Sequence, residues 1–401
     1  MLKRCFLSLL IAAISVVPAG CWDRTEITDL AITLATGVDA MPDNQIKTTV
    51  QLILPLGVGQ QSDGSGVGGT RTFLIETTSG VDLRDTIGNL QEKLSRKMFV
   101  AQRRILIVGE DLARRGIQPM LDHFSRDPRS RMRTYIMIAK GSTATDILKT
   151  PYLLEKEPAE ALRDMQLSGI SRKMDLKDVY QAILSDQDLA IPTIELVQQG
   201  ETRQSTFRLS GVAIFHKDRL VDMLDGSGTR GLMWMVQEAK NAIITVPVPD
   251  MNGFVSATVL HSKSSLKAKK EEGKIVLRLQ TRATVDIMEN TTSLDLTEPA
   301  NVEAMQHLLA DKLRSRIEST IDALQHQYKA DVVGFGKVID RTYPRDWKTL
   351  QSNWHEEFPH MKIAVVANIT VRGTGMSGQS LSLPEITSHS SPTATSSPAK
   401  S

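Results

Sequence analysis

The stretch from Lys274 to Ile287, "KIVLRLQTRATVDI", alternates in character from Leu277 onward. Ile275, Leu277, Leu279, Thr281, Ala283, Val285 and Ile287 share one face; Arg278, Gln280, Arg282, Thr284 and Asp286 share the other. Successive side chains of an extended chain point to opposite sides, so this alternation predicts a long strand of an antiparallel sheet, dry on one face and wet on the other. A cover for the dry face follows in the chain. Pro299 is acceptable in the first turn of a helix, and Val302, Met305, Leu309, Leu313, Ile317, Ile321, Leu324 and Tyr328 then recur every three or four residues. One apolar stripe of that length implies a helix laid across the sheet. The fold class is therefore α+β, with mixed or antiparallel sheets packed by helices.

The flanking segments fit the same plan. Phe254 to Leu260 reads as a strand, "HSKSSLKAKKEEGK" (261–274) as a charged connection, and Ile363, Val365, Ala367, Ile369 and Val371 as a last alternating strand. Upstream, "LSGVAIFHKDRLVDMLDG" (209–226) reads as two short strands around a Lys217-Asp218 turn. "SGTRGLMWMVQEAKN" then begins a helix that packs Trp234 into the interior.

The amino-terminal half has a different texture. Ala31 to Val38 and Ile46 to Leu54 form a hairpin through "DAMPDNQ", and Thr72 to Thr78 adds a strand. Asp82 to Lys97 is an amphipathic helix; Arg104 to Val108 and Arg133 to Ala139 are strands on either side of the helical stretch "GEDLARRGIQPMLDHFSRDP". That order places two parallel strands side by side through a right-handed crossover. "TPYLLEKEPAEAL" is a proline-punctuated connection, Asp175 to Leu184 a helix, and "IPTIELVQQGETRQSTF" leads to a boundary near residue 205. The glycine-rich "PLGVGQQSDGSGVGGTR" (55–71) lacks the Gly-Lys-Ser/Thr ending of a phosphate loop and is read as a flexible connection.

The leader carries its own signal. Lys3 and Arg4 precede an apolar run from Cys5 to Val17, too short to span a bilayer and right for a secretory segment. "PAGCWDR" (18–24) then sets small residues before Cys21, a pattern similar to a bacterial lipobox. The chain has two cysteines, and cleavage before Cys21 removes Cys5. A lone thiol in an exported protein is accounted for by acylation: Cys21 is the expected lipid attachment site, as S-diacylglycerol and N-palmitoyl cysteine. Each buried methylene adds about 0.8 kcal/mol, so two or three acyl chains hold the chain at a membrane.

Charge and motifs exclude several classes. Without Lys3 and Arg4 the chain balances 46 basic against 46 acidic residues, unlike a nucleic-acid protein. Between Lys93 and Lys140 twelve basic residues meet four acidic ones, read as solvated helix faces and salt bridges rather than an anion patch. "HEEFPH" sets His355 and His360 five apart with Pro359 between them, whereas a zinc helix needs its histidines four apart. No GxSxG elbow occurs, including around Ser65 and Ser227, and no Cys/His cluster exists. Neighbouring carboxylates such as Glu356 and Glu357 say nothing about shared geometry. No catalytic residue, metal or cofactor is expected.

Four blocks carry a resemblance. "GCWDRTEITDLAITLATGVD", "RRILIVGEDLARRGIQPMLDHFSRDPRSRMRTYIMIAKG", "GVAIFHKDRLVDMLDGSGTRGLMWM" and "VVGFGKVIDRTYPRDWKTLQSNWHEEFP" resemble, in order, the Ger(x)C family, the C subunits of bacterial spore nutrient-germinant receptors. The resemblance implies an elongated, non-enzymatic α+β lipoprotein of three domains on the outer surface of the inner spore membrane. It also implies companion A and B membrane subunits. The expected divisions are a signal peptide over 1–20, a domain over 21–200, a region over 205–372 with a possible split near 250, and a disordered Ser/Thr/Pro-rich tail over 373–401. The alternative is a lipid-anchored solute-binding protein of a transporter, which calls for two α/β lobes with repeated parallel units around a cleft.

Overall fold

The computed structural model describes residues 25–54, 72–200 and 204–375. Cys21, the glycine-rich connection with Ser65, and the part of the tail beyond residue 375 lie outside the described residues.

The first half builds one nine-stranded sheet. Strands β1 (Leu30–Ala40), β2 (Ile46–Ile53) and β3 (Phe73–Gly80) form an antiparallel meander, as the turn residues at Asp43 and Asn44 foretell. Helix α1 (Leu83–Lys93) starts where Asp82 accepts the Asp85 amide. It stops short of the expected Lys97. Gln91 accepts the Met98 amide at 2.8 Å and donates to the Arg96 carbonyl at 2.9 Å, which turns the chain into β4 (Lys97–Phe99) beside β1. The reward is burial of Met98 and Val100 against Leu90.

Strand β5 (Ile105–Gly109) leads into α2 (Glu110–Arg115) and α3 (Gln118–Arg126). These are two helices rather than one continuous stretch, because Gly116 takes φ 132° and ends the first. Next come β6 (Tyr135–Lys140), α4 (Ala144–Lys149), α5 (Pro158–Leu167) and α6 (Leu176–Leu184), the last opened by a reciprocal Asp175–Asp178 cap. Strands β1, β5, β6 and β7 (Leu189–Gln199) run parallel. Their apolar runs are continuous because both faces are covered: Leu106 and Val108 meet α2, α3 and α6, while Ile105 and Ile107 meet α4 and α5.

Strands β8 (Gln204–His216) and β9 (Arg219–Leu224) return antiparallel and finish this sheet. The segment read as leading to a boundary thus contributes to two paired strands, β7 and β8, of the first sheet. Passage between sheets comes later, through α7 (Gly226–Met235), which buries Trp234 as expected.

The second sheet is β10 (Ile243–Pro247), β11 (Phe254–Glu271), β12 (Lys274–Asn290) and β13 (Lys362–Gly373) in spatial order. Residue 250 lies in the β10–β11 connection, again within one sheet. The opening stretch is β12, with Leu277, Leu279, Thr281, Ala283, Val285 and Ile287 buried. Two readings are corrected here. Residues 261–274 are not a connection but extend both strands of the β11–β12 hairpin, with a turn at Glu272 and Gly273. The sheet is mixed, since β13 lies parallel to β12. A parallel neighbour demands a crossover, which helix α8 (Pro299–Asp322) provides while covering the dry face with Met305, Leu309, Leu313, Ile317 and Ile321. One wide turn over Ala323–Gln327 then lets Gln325 donate to the Phe358 and Met361 carbonyls at 2.8 and 2.9 Å, fixing the approach to β13. Helices α9 (Phe335–Thr342), α10 (Pro344–Leu350) and α11 (Trp354–Glu357) fill the interval.

The described residues therefore form two sheets, where the resemblance implies three domains, and the class is α+β. Only the first sheet has a helix-covered parallel centre, so a repeated pair of α/β lobes is not built. No helix among the described residues is long and apolar enough to cross a membrane.

Candidate functional site at the junction of the sheets

Strand β8 belongs to both halves. Ala213 and Phe215 point into the core containing Phe124 and Ile136; Val212 and Ile214 point the other way, into the core with Trp234, Val255 and Leu309. Gly211 (φ 136°) bends the strand beforehand, and a Cβ there would collide with the Leu224 carbonyl.

At the end of β8 lies a polar joint that bounds a cleft of about 240 Å³. Asp188, just before β7, accepts from the Asp331 amide at 2.8 Å through one oxygen and meets His216 Nδ1 at 2.9 Å through the other. Asp331 is buried and accepts the amides of Gly334, Phe335 and Gly336 at 2.8, 2.9 and 2.8 Å. The Trp354 indole N–H adds a fourth bond at 3.1 Å. Burial pushes the Asp331 carboxyl upward; the three amides oppose that shift, and the nearby Asp188 adds to it. The hydrogen bond to Asp188 raises the His216 imidazole, against a smaller opposing effect of partial burial. The rings of His216 and His355 lie 4.3 Å apart, which brings a residue of α11 onto the end of β8.

Chemically this is an acid–imidazole pair with no hydroxyl or thiol side chain in the cleft lining. Among the described residues no group of three His, Cys, Asp or Glu side chains is placed to hold a metal ion. His355 is spent on the His216 ring, and His360 lies in the turn before β13. The joint fastens one sheet to the other.

A second polar crevice lies at the carboxyl ends of β1, β5 and β6, where open α/β sheets hold ligands. Here a crevice of about 290 Å³ stays open, and its innermost carboxylate is bound by the chain itself. Asp39 accepts from the Ala144 and Thr145 amides at 2.6 and 3.0 Å and from the Thr145 hydroxyl at 2.8 Å. Glu110, Asp111 and Asp146 line the same crevice, so its field repels anions.

The basic run between Lys93 and Lys140 is largely consumed internally. Arg103 is buried under the Phe124 ring, its guanidinium lowered to about 10 mainly by desolvation. Arg104 pairs with Glu160 at 2.9 Å and Arg114 with Glu110 at 2.7 Å, while Arg115 donates to the Met41 carbonyl at 2.8 Å and the Gln45 carbonyl at 3.1 Å. Ser227 sits in the first turn of α7 and Glu356 and Glu357 in α11, none of them in the joint. Sequence reasoning missed Asp188, His216, Asp331 and Trp354. For Asp331 a signal existed: an acceptor three residues before Gly334, where φ is 89°, is a local capping pattern.

Residues 23–196 match the family model for the spore germination protein N-terminal domain, and residues 210–375 that for the spore germination B3/GerAC-like C-terminal domain. YfkR of Bacillus subtilis (strain 168) is 30% identical over 377 residues, 93% of this chain and 97% of that one. Spore germination protein KC of the same strain is 25% identical, covering 94% of this chain and 97% of its own. The crystal structure of the GerBC protein superposes with a TM-score of 0.57 at 19% identity, over 84% of this chain and 96% of that chain, a likeness of fold. The chain belongs to the Ger(x)C family of spore germination proteins.

Proposed function

We propose that this protein is the lipid-anchored C subunit of a spore nutrient germinant receptor, held at the outer surface of the inner spore membrane by acylated Cys21. It works beside the receptor's A and B membrane subunits, without catalysis, by assembling or stabilising the receptor. The observation that carries this reading is the collinear match of both halves to spore germination proteins across nearly the whole of each chain. The joint supports it, since Asp188 and Asp331 there are spent on fastening one sheet to the other. An anchor confines the body to the membrane plane and so raises its effective concentration near membrane-bound companions.

The test is Cys21→Ala in sporulating cells, followed by spore-membrane fractionation and a germination assay. The variant should leave the membrane fraction and lose the nutrient response. Continued membrane association would remove the anchor from the reading, and a normal nutrient response in spores lacking the whole chain would remove the receptor role. Saturable micromolar binding of an amino acid or sugar to the purified protein would replace assembly by sensing.

A further inference from the structure

The second sheet has a face turned away from α8, and the strand register organises that face. Lys263 stands opposite Arg282, Lys267 opposite Arg278, and Val276 lies between Lys269 and Lys362. The six cations named are all exposed. Glu271 bonds Arg278 at 2.6 Å, but Lys263, Lys267, Lys269 and Arg282 pair with no acid among the described residues. Like charges directly opposite each other weaken a sheet, so the arrangement works against the fold's own stability. A counter-charge from outside relieves it.

The same face changes character along its strands. Ile243, Phe254 and Met288 project from it with 62, 53 and 69% of their surfaces exposed. From Arg282 to Met288 along β12 is about 20 Å at ~3.3 Å per residue. An open face thus presents cations at one end and, beyond the Asp286–Arg372 ion pair, apolar side chains at the other. An acidic polypeptide would answer the cations alone. A lipid bilayer with anionic headgroups answers both, headgroups for the lysines and acyl boundary for Phe254 and Met288.

We propose that this face of the β10–β13 sheet docks on an anionic lipid surface. The contact is independent of Cys21, since it rests on side chains of the folded sheet alone. It sets an orientation for the second sheet, which a tether at the amino terminus does not.

The test uses the full chain and sedimentation with sucrose-loaded vesicles of phosphatidylcholine, with and without 30% phosphatidylglycerol, in about 0.1 M salt. The wild-type chain should prefer the anionic vesicles, and Lys263→Glu/Lys267→Glu/Lys269→Glu should cut that binding about 100-fold, at roughly 5-fold or more per cation. Its binding to neutral vesicles should not change, and its melting temperature should hold or rise, because Lys267→Glu places an acid opposite Arg278. Phe254→Ser/Met288→Ser should weaken anionic binding several-fold while leaving its salt dependence. Equal binding to both vesicle types, or wild-type binding by the triple variant, would overturn the proposal. So would displacement of the vesicles by polyglutamate at equal charge, which assigns the face to an acidic protein. Cys21→Ala must leave the composition preference intact, which separates this result from the fate of the anchor.

Discussion

Val212 and Ala213 are adjacent in the chain and lie in different hydrophobic cores. The alternation of a single strand is what joins the halves: β8 is an ordinary member of the first sheet whose back supports the second. Ile214→Ala should therefore destabilise the protein by about 2–5 kcal/mol, the usual cost of emptying a buried aliphatic site. Because the cores share this strand, tryptophan fluorescence, to which Trp234, Trp347 and Trp354 of the second core contribute, and far-ultraviolet circular dichroism should follow one urea transition at a lower midpoint. Separate transitions for the two signals would contradict the shared core.

Asp331 ties four donors at once, so its removal strands buried N–H groups rather than deleting one bond. Asp331→Ala should cost about 3–5 kcal/mol, and Asp331→Asn, which keeps one acceptor oxygen, clearly less. Urea titrations of the two variants measure the order. Equal losses would show that packing, not acceptance, matters here.

His216 gives the joint a pH dependence. Its folded-state pKa lies above the ordinary value of 6.5, chiefly through the bond to Asp188, with Asp186 helping and Lys217 opposing. The contribution is fully present below the unfolded-state pKa and is lost as pH rises through the folded one. The stability difference between wild type and His216→Gln should accordingly shrink from mildly acidic to mildly alkaline pH. Taking the difference removes His123, whose burial lowers its pKa and tilts the profile the other way. A difference independent of pH would show that the imidazole stays neutral.

Gly231 marks the crossing of α7 over α8. A Cβ at this position would meet the Thr320 hydroxyl, with the Arg316 carbonyl 3.1 Å away. Gly231→Ala should destabilise by about 1–3 kcal/mol, and adding Thr320→Ala should restore part of the loss. Thermal melts of the single and double variants decide this; a double variant equal to the sum of the single losses would place the clash on the Arg316 backbone.

The parts of the fold that were legible in the sequence are those written in a repeating period. Ile275 to Ile287 announces β12, and the stripe from Val302 to Tyr328 announces α8, although not the wide turn over Ala323–Gln327 that ends it. Residues 261–274 were opaque because Lys263, Lys267 and Lys269 make a strand look like a loop; only its pairing with β12 reveals it. The helix at Ala144–Lys149 is too short to show periodicity and depends on Asp39, more than a hundred residues earlier, for its first amides. The joint was illegible for the same reason, since Asp188, His216, Asp331 and Trp354 meet only after two sheets have formed. The basic run from Lys93 to Lys140 looked like a surface feature, yet Arg103 and Arg115 are absorbed by Phe124 and by the Met41 and Gln45 carbonyls.

A strand that serves two cores leaves no swivel between them. The lobes have to tilt together, as a wrench turns with its handle, so a push on the far tip of the β11–β12 hairpin is felt at β1 as torque. Leverage, rather than hinge bending, is the movement such a body offers to anything that grips it.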